Sequence, residues 1–127
     1  MKRILIIDDD ADFAEALITL LSAQGYAVEA AASGGEGVSR AKSWAPQLII
    51  LDVMMSHQTE GYEVARYLRD HAKTGAIPVI LVTGVRDELH LDMKLEPDDD
   101  WLPVKAVLEK PIKPEQLLKC VQENIGA

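Results

Sequence analysis

The sequence predicts an α/β fold in which a doubly wound parallel sheet carries helices on both faces. Three observations support this prediction. Short strand-like runs recur along the chain, and helical patterns lie between them. Three of the runs are nearly continuous in apolar residues, as is typical of strands that are covered on both faces. The 127 residues suggest one domain, and the crossovers should be right-handed.

Five strands are predicted, each from a short run that is mostly apolar. The runs are RILIID (3–8), AVEAAA (27–32), QLIILD (47–52), IPVILVTG (77–84) and AVLEKP (106–111).

Four helical patterns fill most of the intervals between these strands. They cover residues 12–25, 35–44, 60–73 and 113–126. In three of them the apolar residues share one face: Phe13, Leu17, Leu20 and Leu21; Val64, Tyr67, Leu68 and His71; Leu117, Leu118, Val121 and Ile125. Gly25 and Gly126 are typical helix ends, and Pro114 is typical of a first turn.

The interval before the last strand fits a helix less well. Its apolar residues match both a strand period and one helix face, and Pro97 and Pro103 bound a loop. We predict a short helix near 86–95, followed by an irregular segment.

Composition excludes several classes of protein. The net charge of −8, from 13 basic and 21 acidic residues, argues against a broad nucleic-acid-binding face. No apolar run approaches the ~18 residues of a membrane span, and no signal peptide is evident. Cys120 is the only cysteine, which excludes disulfides and favours a reducing compartment. We expect a cytoplasmic protein whose partners are proteins or cations, with no nucleic acid or membrane partner.

Polar residues stand at the ends of four predicted strands. Asp8 and Asp9 end the first, Asp52 ends the third, Thr83 ends the fourth and Lys110 ends the fifth. Parallel strands bring these residues to one edge, where ligands of such sheets bind. Two carboxylates ~4 Å apart repel by about 4 kcal/mol at an effective dielectric of ~20, so the cluster needs a cation.

The residues at this edge suit magnesium and phosphate. Mg²⁺ accepts one or two carboxylates and leaves room for phosphate oxygens. Lys110 offers a point charge and Thr83 a hydroxyl group, both of which suit a phosphoryl group. Positioning and charge neutralisation do most of the work in phosphoryl transfer, so this reaction is the one the pattern favours.

Five segments in order resemble the receiver domain of two-component response regulators, near the size of the single-domain chemotaxis regulator. They are ILIIDDD, LIILDVMMS, GYEVARYLR, IPVILVTG and LEKPI, and together they cover nearly the whole chain. The resemblance implies a flavodoxin-like five-stranded sheet of order 2-1-3-4-5 with about five helices. We expect residues 1–127 to form one receiver domain, with no output domain.

The resemblance also implies a magnesium site. Asp9 and Asp52 would ligate Mg²⁺ directly, and Asp8 would act mainly through a bound water. The backbone carbonyl of Met54 would complete the protein ligands.

In the same way, the resemblance implies the roles of the residues that meet the phosphoryl group. Asp52 would be the phosphoacceptor, attacking the phosphorus of a kinase phosphohistidine or of a small phosphodonor. Thr83 would hydrogen-bond a phosphoryl oxygen, and Lys110 would pair with it. The peptide bond before Pro111 is expected to be cis.

The chain departs from the family pattern at several places. Ser56 replaces a usual proline, and Gly84 replaces a usual alanine. Val107 stands where the family usually has Tyr or Phe, so the usual inward swing of an aromatic ring is missing. We expect segment 84–105 to rearrange instead, with Trp101 as its reporter.

Other polar and reactive residues are expected to have ordinary structural roles. Asp10 and Asp12 should cap and charge the first helix. Cys120 should be buried. The following residues should be solvated: His57, His71, His90 and Asp98 to Asp100. For Trp101, an anchor for a partner and packing against the domain stay equally open.

The predicted function is a phosphorylation-dependent signalling switch. Its partners would be a histidine kinase or phosphotransfer protein and an unidentified downstream protein, with the chain a monomer or weak dimer. Catalysis would be limited to Mg²⁺-dependent self-phosphorylation and self-dephosphorylation. One alternative is an aspartyl-phosphate phosphohydrolase, although those enzymes carry an acid where this chain has Met54. Another is a degenerate receiver that binds partners constitutively.

Overall fold

The structure is a computed structural model that describes residues 1–52, 60–83 and 104–126, without the side chains of 60–62. Several predictions fall outside these residues and stay predictions. They concern the short helix near 86–95, the rearranging segment 84–105 apart from its last two residues, and the residues Met54, Ser56, His57, Gly84, His90, Asp98 to Asp100 and Trp101.

Strands and helices alternate from residue 3 to residue 83, as predicted, and residues 84–103 before the last strand lie outside the described part of the chain. The elements are β1 (Arg3–Ile7), α1 (Ala11–Ser22), β2 (Ala27–Ala31), α2 (Gly34–Trp44), β3 (Leu48–Asp52), α3 (Glu60–Asp70), β4 (Val79–Thr83), β5 (Ala106–Glu109) and α4 (Pro114–Asn124).

The five strands form one parallel sheet in the order β2-β1-β3-β4-β5, which confirms the predicted topology. The chain leaves β1 for β2 on one side and then returns to β3 on the other. The strand order therefore reverses between β1 and β3, and the crevice at this reversal is where ligands of such sheets bind.

Two hydrophobic cores cover the two faces of the sheet. Alternate residues of a strand point to opposite faces, and β1 shows the division. Leu5 and Ile7 pack in the core that includes α2 and α3 residues, whereas Ile4 and Ile6 pack with α1 and α4. Both sets are fully buried, which explains why the central strands are continuous apolar runs.

A side-chain cap and one close packing contact position α2. The Ser33 hydroxyl accepts the Glu36 N–H at 3.2 Å, and the Glu36 carboxylate accepts the Ala32 N–H at 3.2 Å. Gly37 is buried against β1, where a Cβ atom would lie 2.5 Å from Cδ1 of Ile7. Glycine is a poor helix former, yet at this position it allows the helix to pack on the sheet.

The apolar face predicted for α3 was partly wrong. Val64 and Leu68 are buried as expected, but Ala65 joins them while Tyr67 is 45% exposed. The Tyr67 hydroxyl accepts a hydrogen bond from Lys42 at 2.6 Å, so its polar end stays at the surface. The helix ends at Asp70, and His71 lies in the following turn with its ring stacked on Tyr67.

The last helix closes the second core. Pro114 is its first residue, and Leu117 and Val121 are fully buried, as predicted. Cys120 is also buried, and desolvation raises the pKa of its thiol, with the Glu123 carboxylate adding to the effect. None of the described helices has both the length and the apolar character that crossing a bilayer requires.

Gly37→Ala is expected to lower the free energy of unfolding by about 1–3 kcal/mol, because the new methyl group overpacks the contact with Ile7. Gly35→Ala is the matched control, since a Cβ atom there meets no atom within 4 Å. That control should raise stability by roughly 0.5–1 kcal/mol through its helix propensity. Urea unfolding measures both, and a Gly37→Ala protein as stable as wild type would contradict the packing account.

Candidate functional site

Three carboxylates meet at the carboxyl edge of the sheet. Asp8 and Asp9 directly follow β1, and Asp52 is the last residue of β3. Their nearest oxygen atoms all lie within 4.8 Å of one another. Asp8 and Asp52 are each only 3% exposed, whereas Asp9 is exposed to solvent. The predicted acidic cluster is therefore present, with two buried members and one that solvent can reach.

Strand register explains why two acids share this buried position. Ile7 of β1 lies opposite Leu51 of β3, so the residues that follow them, Asp8 and Asp52, emerge side by side. The backbone holds Asp8 in place, because its N–H donates to the carbonyl of Ala31 at 3.0 Å. The apolar strands behind the pair thus bring two negative charges to the same opening.

Lys110 supplies the positive charge of the cluster. It follows β5, and its Nζ atom lies 3.5 Å from Oδ2 of Asp8 and 3.9 Å from Oδ2 of Asp52. Its side chain is 25% exposed, so the pair with Asp8 is largely sheltered from water. The bond between Lys110 and Pro111 is cis, as predicted.

Thr83 stands at the same edge on the other side of Asp52. It is the last residue of β4 and is 4% exposed. Val82 pairs with Asp52 in the register of the sheet, so Thr83 lies one residue beyond that pair. The Lys110 N–H donates to the Thr83 carbonyl at 2.7 Å, which couples the backbones of these two residues.

Asp10 caps the first helix, as predicted. Its Oδ1 atom accepts the N–H groups of Asp12 at 3.1 Å and of Phe13 at 3.2 Å. Its own N–H donates to Oδ1 of Asp8 at 2.8 Å. The third aspartate of the acidic run therefore joins the helix start to the acidic cluster.

Sequence reasoning missed one residue at the site. Phe13 was assigned to the apolar face of the first helix, yet the Lys110 ammonium lies 4.1 Å from the centre of its ring. The ring also packs against the core, where it is half-buried. In the sequence, the position of Phe13 in the first helical turn, beside the carboxyl edge, could have indicated this contact.

The described residues at this edge fit a hard divalent cation. Their donors are carboxylate oxygens from two adjacent strands, and the exposed Asp9 leaves an approach from solvent. Lys110 is the cation paired with Asp8 and Asp52, and one ammonium cannot neutralise three carboxylates. Oxygen donors with room for waters are the environment that Mg²⁺ prefers.

Comparison with known proteins decides the family. The sequence profile described as "Response regulator receiver domain" matches residues 4–122. The chain belongs to the response regulator receiver family. This receiver domain is 35% identical to the protein PilH of Pseudomonas aeruginosa over 124 residues, covering 95% of each chain.

Longer relatives contain a similar region. The receiver domain is 37% identical over 107 residues to the transcriptional regulatory protein AfsQ1 of Streptomyces coelicolor, covering 84% of this chain and 46% of that protein. It spans about half the length of the several transcriptional and DNA-binding regulators that it matches.

Solved structures show the same fold. The chemotaxis response regulator CheY4 of Vibrio cholerae is 28% identical, with a TM-score of 0.79 and coverage of 97% of this chain and 98% of that one. A CheY-like receiver domain from Methanospirillum hungatei is 26% identical, with a TM-score of 0.81 and coverage of 98% and 94%.

Family membership confirms the first of the predicted functions. The protein is a phosphorylation-dependent signalling switch of the two-component class. Receiver domains interact with histidine kinases or phosphotransfer proteins and bind Mg²⁺ at an acidic pocket, and this chain has such a pocket in Asp8, Asp9 and Asp52. They are generally signalling modules rather than enzymes.

Asp10→Ala is expected to lower the free energy of unfolding by about 0.5–2 kcal/mol relative to Asp10→Asn. Both variants remove the same negative charge beside the acidic cluster. Asparagine keeps an oxygen that can accept the N–H groups of Asp12 and Phe13, so the difference isolates the cap. Chemical unfolding measures it, and equal stability of the two variants would show that the cap contributes nothing.

Proposed function

We propose that Asp52 accepts the phosphoryl group of this switch. The observation that carries the proposal is the meeting of three carboxylates and one ammonium beside the end of the central strand β3. β3 lies between β1 and β4, so Asp52 is flanked by the acids on one side and by Thr83 on the other. Asp8 and Asp9 both follow β1, on one side of this central position.

The surroundings of the other two acids favour Asp52 as the acceptor. Asp8 is tied to its own chain segment, because its Oδ1 atom accepts the Asp10 N–H at 2.8 Å. Asp9 is exposed, so water competes for any partner it meets. Asp52 combines burial with a place beside Lys110.

Transfer from a phosphohistidine is a simple exchange of bonds. A carboxylate oxygen of Asp52 attacks phosphorus, a P–O bond forms and the P–N bond to imidazole breaks. The electron pair of the P–N bond stays on the leaving ring nitrogen, a proton already on the other ring nitrogen makes the departing imidazole neutral, and Asp52 becomes an acyl phosphate. Lys110 and Thr83 would then contact the phosphoryl oxygens, the first by charge and the second through its hydroxyl group.

A magnesium ion would be held by Asp8, Asp9 and Asp52, together with the predicted carbonyl of Met54. When bound, it supplies positive charge that offsets repulsion between the carboxylates and the incoming phosphoryl group. The three described acids support this proposal, because one oxygen of each lies within 4.8 Å of the other two.

The partners follow from this chemistry. We propose a histidine kinase or phosphotransfer protein as donor and a downstream protein, not a nucleic acid, as the receiver of the signal. Self-phosphorylation from small donors and self-dephosphorylation would be the only reactions of the chain. A monomer or weak dimer, a cytoplasmic location and a single domain over residues 1–127 stay predictions.

Asp52→Asn is expected to abolish phosphoryl uptake from acetyl phosphate with Mg²⁺, because the attacking carboxylate is gone. Intact-protein mass spectrometry should show one added phosphoryl group on wild type and none on the variant. Asp70→Asn is the matched control: Asp70 is an exposed acid that pairs with Arg69, so labelling should be unchanged. An Asp52→Asn protein that still gains one phosphoryl group would overturn the assignment.

Mg²⁺ is expected to raise the melting temperature of the unphosphorylated protein, because only the folded chain brings the three acids together. At ten times Kd the stabilisation is about 1.4 kcal/mol. Asp9→Ala should remove most of this response, whereas Asp12→Ala, an exposed acid of the same segment, should keep it. Thermal melts test this, and a wild-type protein insensitive to millimolar Mg²⁺ would contradict the site.

A further inference from the structure

Four residues form a closed ring of contacts at the mouth of the site. Oδ1 of Asp8 accepts the Asp10 N–H, and Oδ1 of Asp10 accepts the Phe13 N–H. The Phe13 ring meets the Lys110 ammonium at 4.1 Å, and that ammonium returns to Oδ2 of Asp8 at 3.5 Å. One link in this ring, the aromatic one, has no place in the mechanism described above.

The carboxylates by themselves hold the ammonium loosely. Its distances of 3.5 Å to Asp8 and 3.9 Å to Asp52 exceed the roughly 2.7–2.9 Å of a strong charged hydrogen bond. A lysine side chain has four flexible carbons and readily changes rotamer. A further contact is needed to keep its charge at the edge of the pocket.

The Phe13 ring provides this contact. The face of an aromatic ring is electron-rich and attracts an ammonium within ~6 Å of its centre, most strongly where water is partly excluded. The side chain of Lys110 is 25% exposed and Phe13 is half-buried, so this condition is met. An aliphatic residue would fill the same space without attracting the charge.

We infer that Phe13 is a positioning residue whose ring holds the Lys110 ammonium at the pocket. The inference rests on the proposed pairing of Lys110 with the phosphoryl group. The Asp10 cap fixes the first turn of α1, and so places the ring in front of the lysine. Because the lysine is pre-positioned, less conformational entropy is lost when a phosphoryl group arrives.

The sequence offers an unusually clean test. Phe13 is the only phenylalanine in the chain, so growth on fluorinated phenylalanine alters this ring and no other. Successive fluorines withdraw electrons from the ring face while nearly preserving its shape. Mono-, di- and trifluorinated proteins therefore form a graded series in the attraction for the ammonium.

The first measurement uses metal-free protein and is independent of phosphorylation. In the wild-type background, the unfolding equilibrium constant should rise about threefold from the unfluorinated to the trifluorinated protein, equivalent to about 0.7 kcal/mol. In Lys110→Met the unfolding equilibrium constant should not change across the fluorinated series, since no charge faces the ring. Lys105→Met removes an exposed lysine before β5, and its unfolding equilibrium constant should rise with fluorination as much as that of wild type.

The second measurement concerns the site in use. Affinity for beryllofluoride with Mg²⁺, a mimic of the phosphoryl group, should fall about threefold across the same series. The affinity of Phe13→Leu should be reduced at least as much. The affinity of Phe13→Trp should return towards that of wild type, because tryptophan is the strongest ring for this contact.

The outcomes separate the two proposals. An unfolding equilibrium constant that rises with fluorination as steeply in Lys110→Met as in wild type would show that fluorine acts only through core packing. That result would overturn the role of Phe13. Beryllofluoride affinity that is unchanged or rises with fluorination would also overturn it. Failure of unsubstituted protein to bind beryllofluoride would count against the proposed function, while the metal-free series still decides whether the ring holds Lys110.

Discussion

Repulsion among Asp8, Asp9 and Asp52 is the constraint on which this site depends. Strand register forces the first and last of these side by side in a buried position, and the polypeptide cannot separate them without breaking the sheet. Each like-charge pair at ~4 Å costs about 4 kcal/mol at an effective dielectric of ~20. The apolar strands behind the cluster hold the acids together, and one lysine offsets only part of their charge.

The elements around the cluster are joined so that a change in charge must move more than one of them. Lys110 contacts Asp8 through its side chain and Thr83 through its backbone N–H, which connects β1, β4 and β5. Asp10 connects the same acidic segment to the start of α1. A new anion on Asp52 would draw Lys110 away from Asp8. This movement would affect both the link from Lys110 to Thr83 and the link from Asp8 to the start of α1.

The sequence predicts most of the architecture because burial on both sheet faces leaves a strong signal. Continuous apolar runs identified the central strands, and acids at their ends predicted the acidic cluster. Side-chain periodicity was weaker evidence: it put Tyr67 on the buried face of α3, although its hydroxyl binds Lys42 at the surface. It also could not reveal the contact between Phe13 and Lys110, because these residues are distant in the chain and meet only through the sheet. Helix propensity alone disfavours Gly37, and only the structure shows that Ile7 lies where a larger residue would clash.

The central claim is that the buried acid at the end of β3, rather than either acid after β1, carries the phosphoryl group. Borohydride reduces an acyl phosphate of aspartate to homoserine, which marks the acceptor permanently. Protein labelled with acetyl phosphate and Mg²⁺, reduced, digested and sequenced by mass spectrometry should carry homoserine at position 52 and at neither position 8 nor position 9. Homoserine at position 8 or 9, with aspartate retained at 52, would contradict the account.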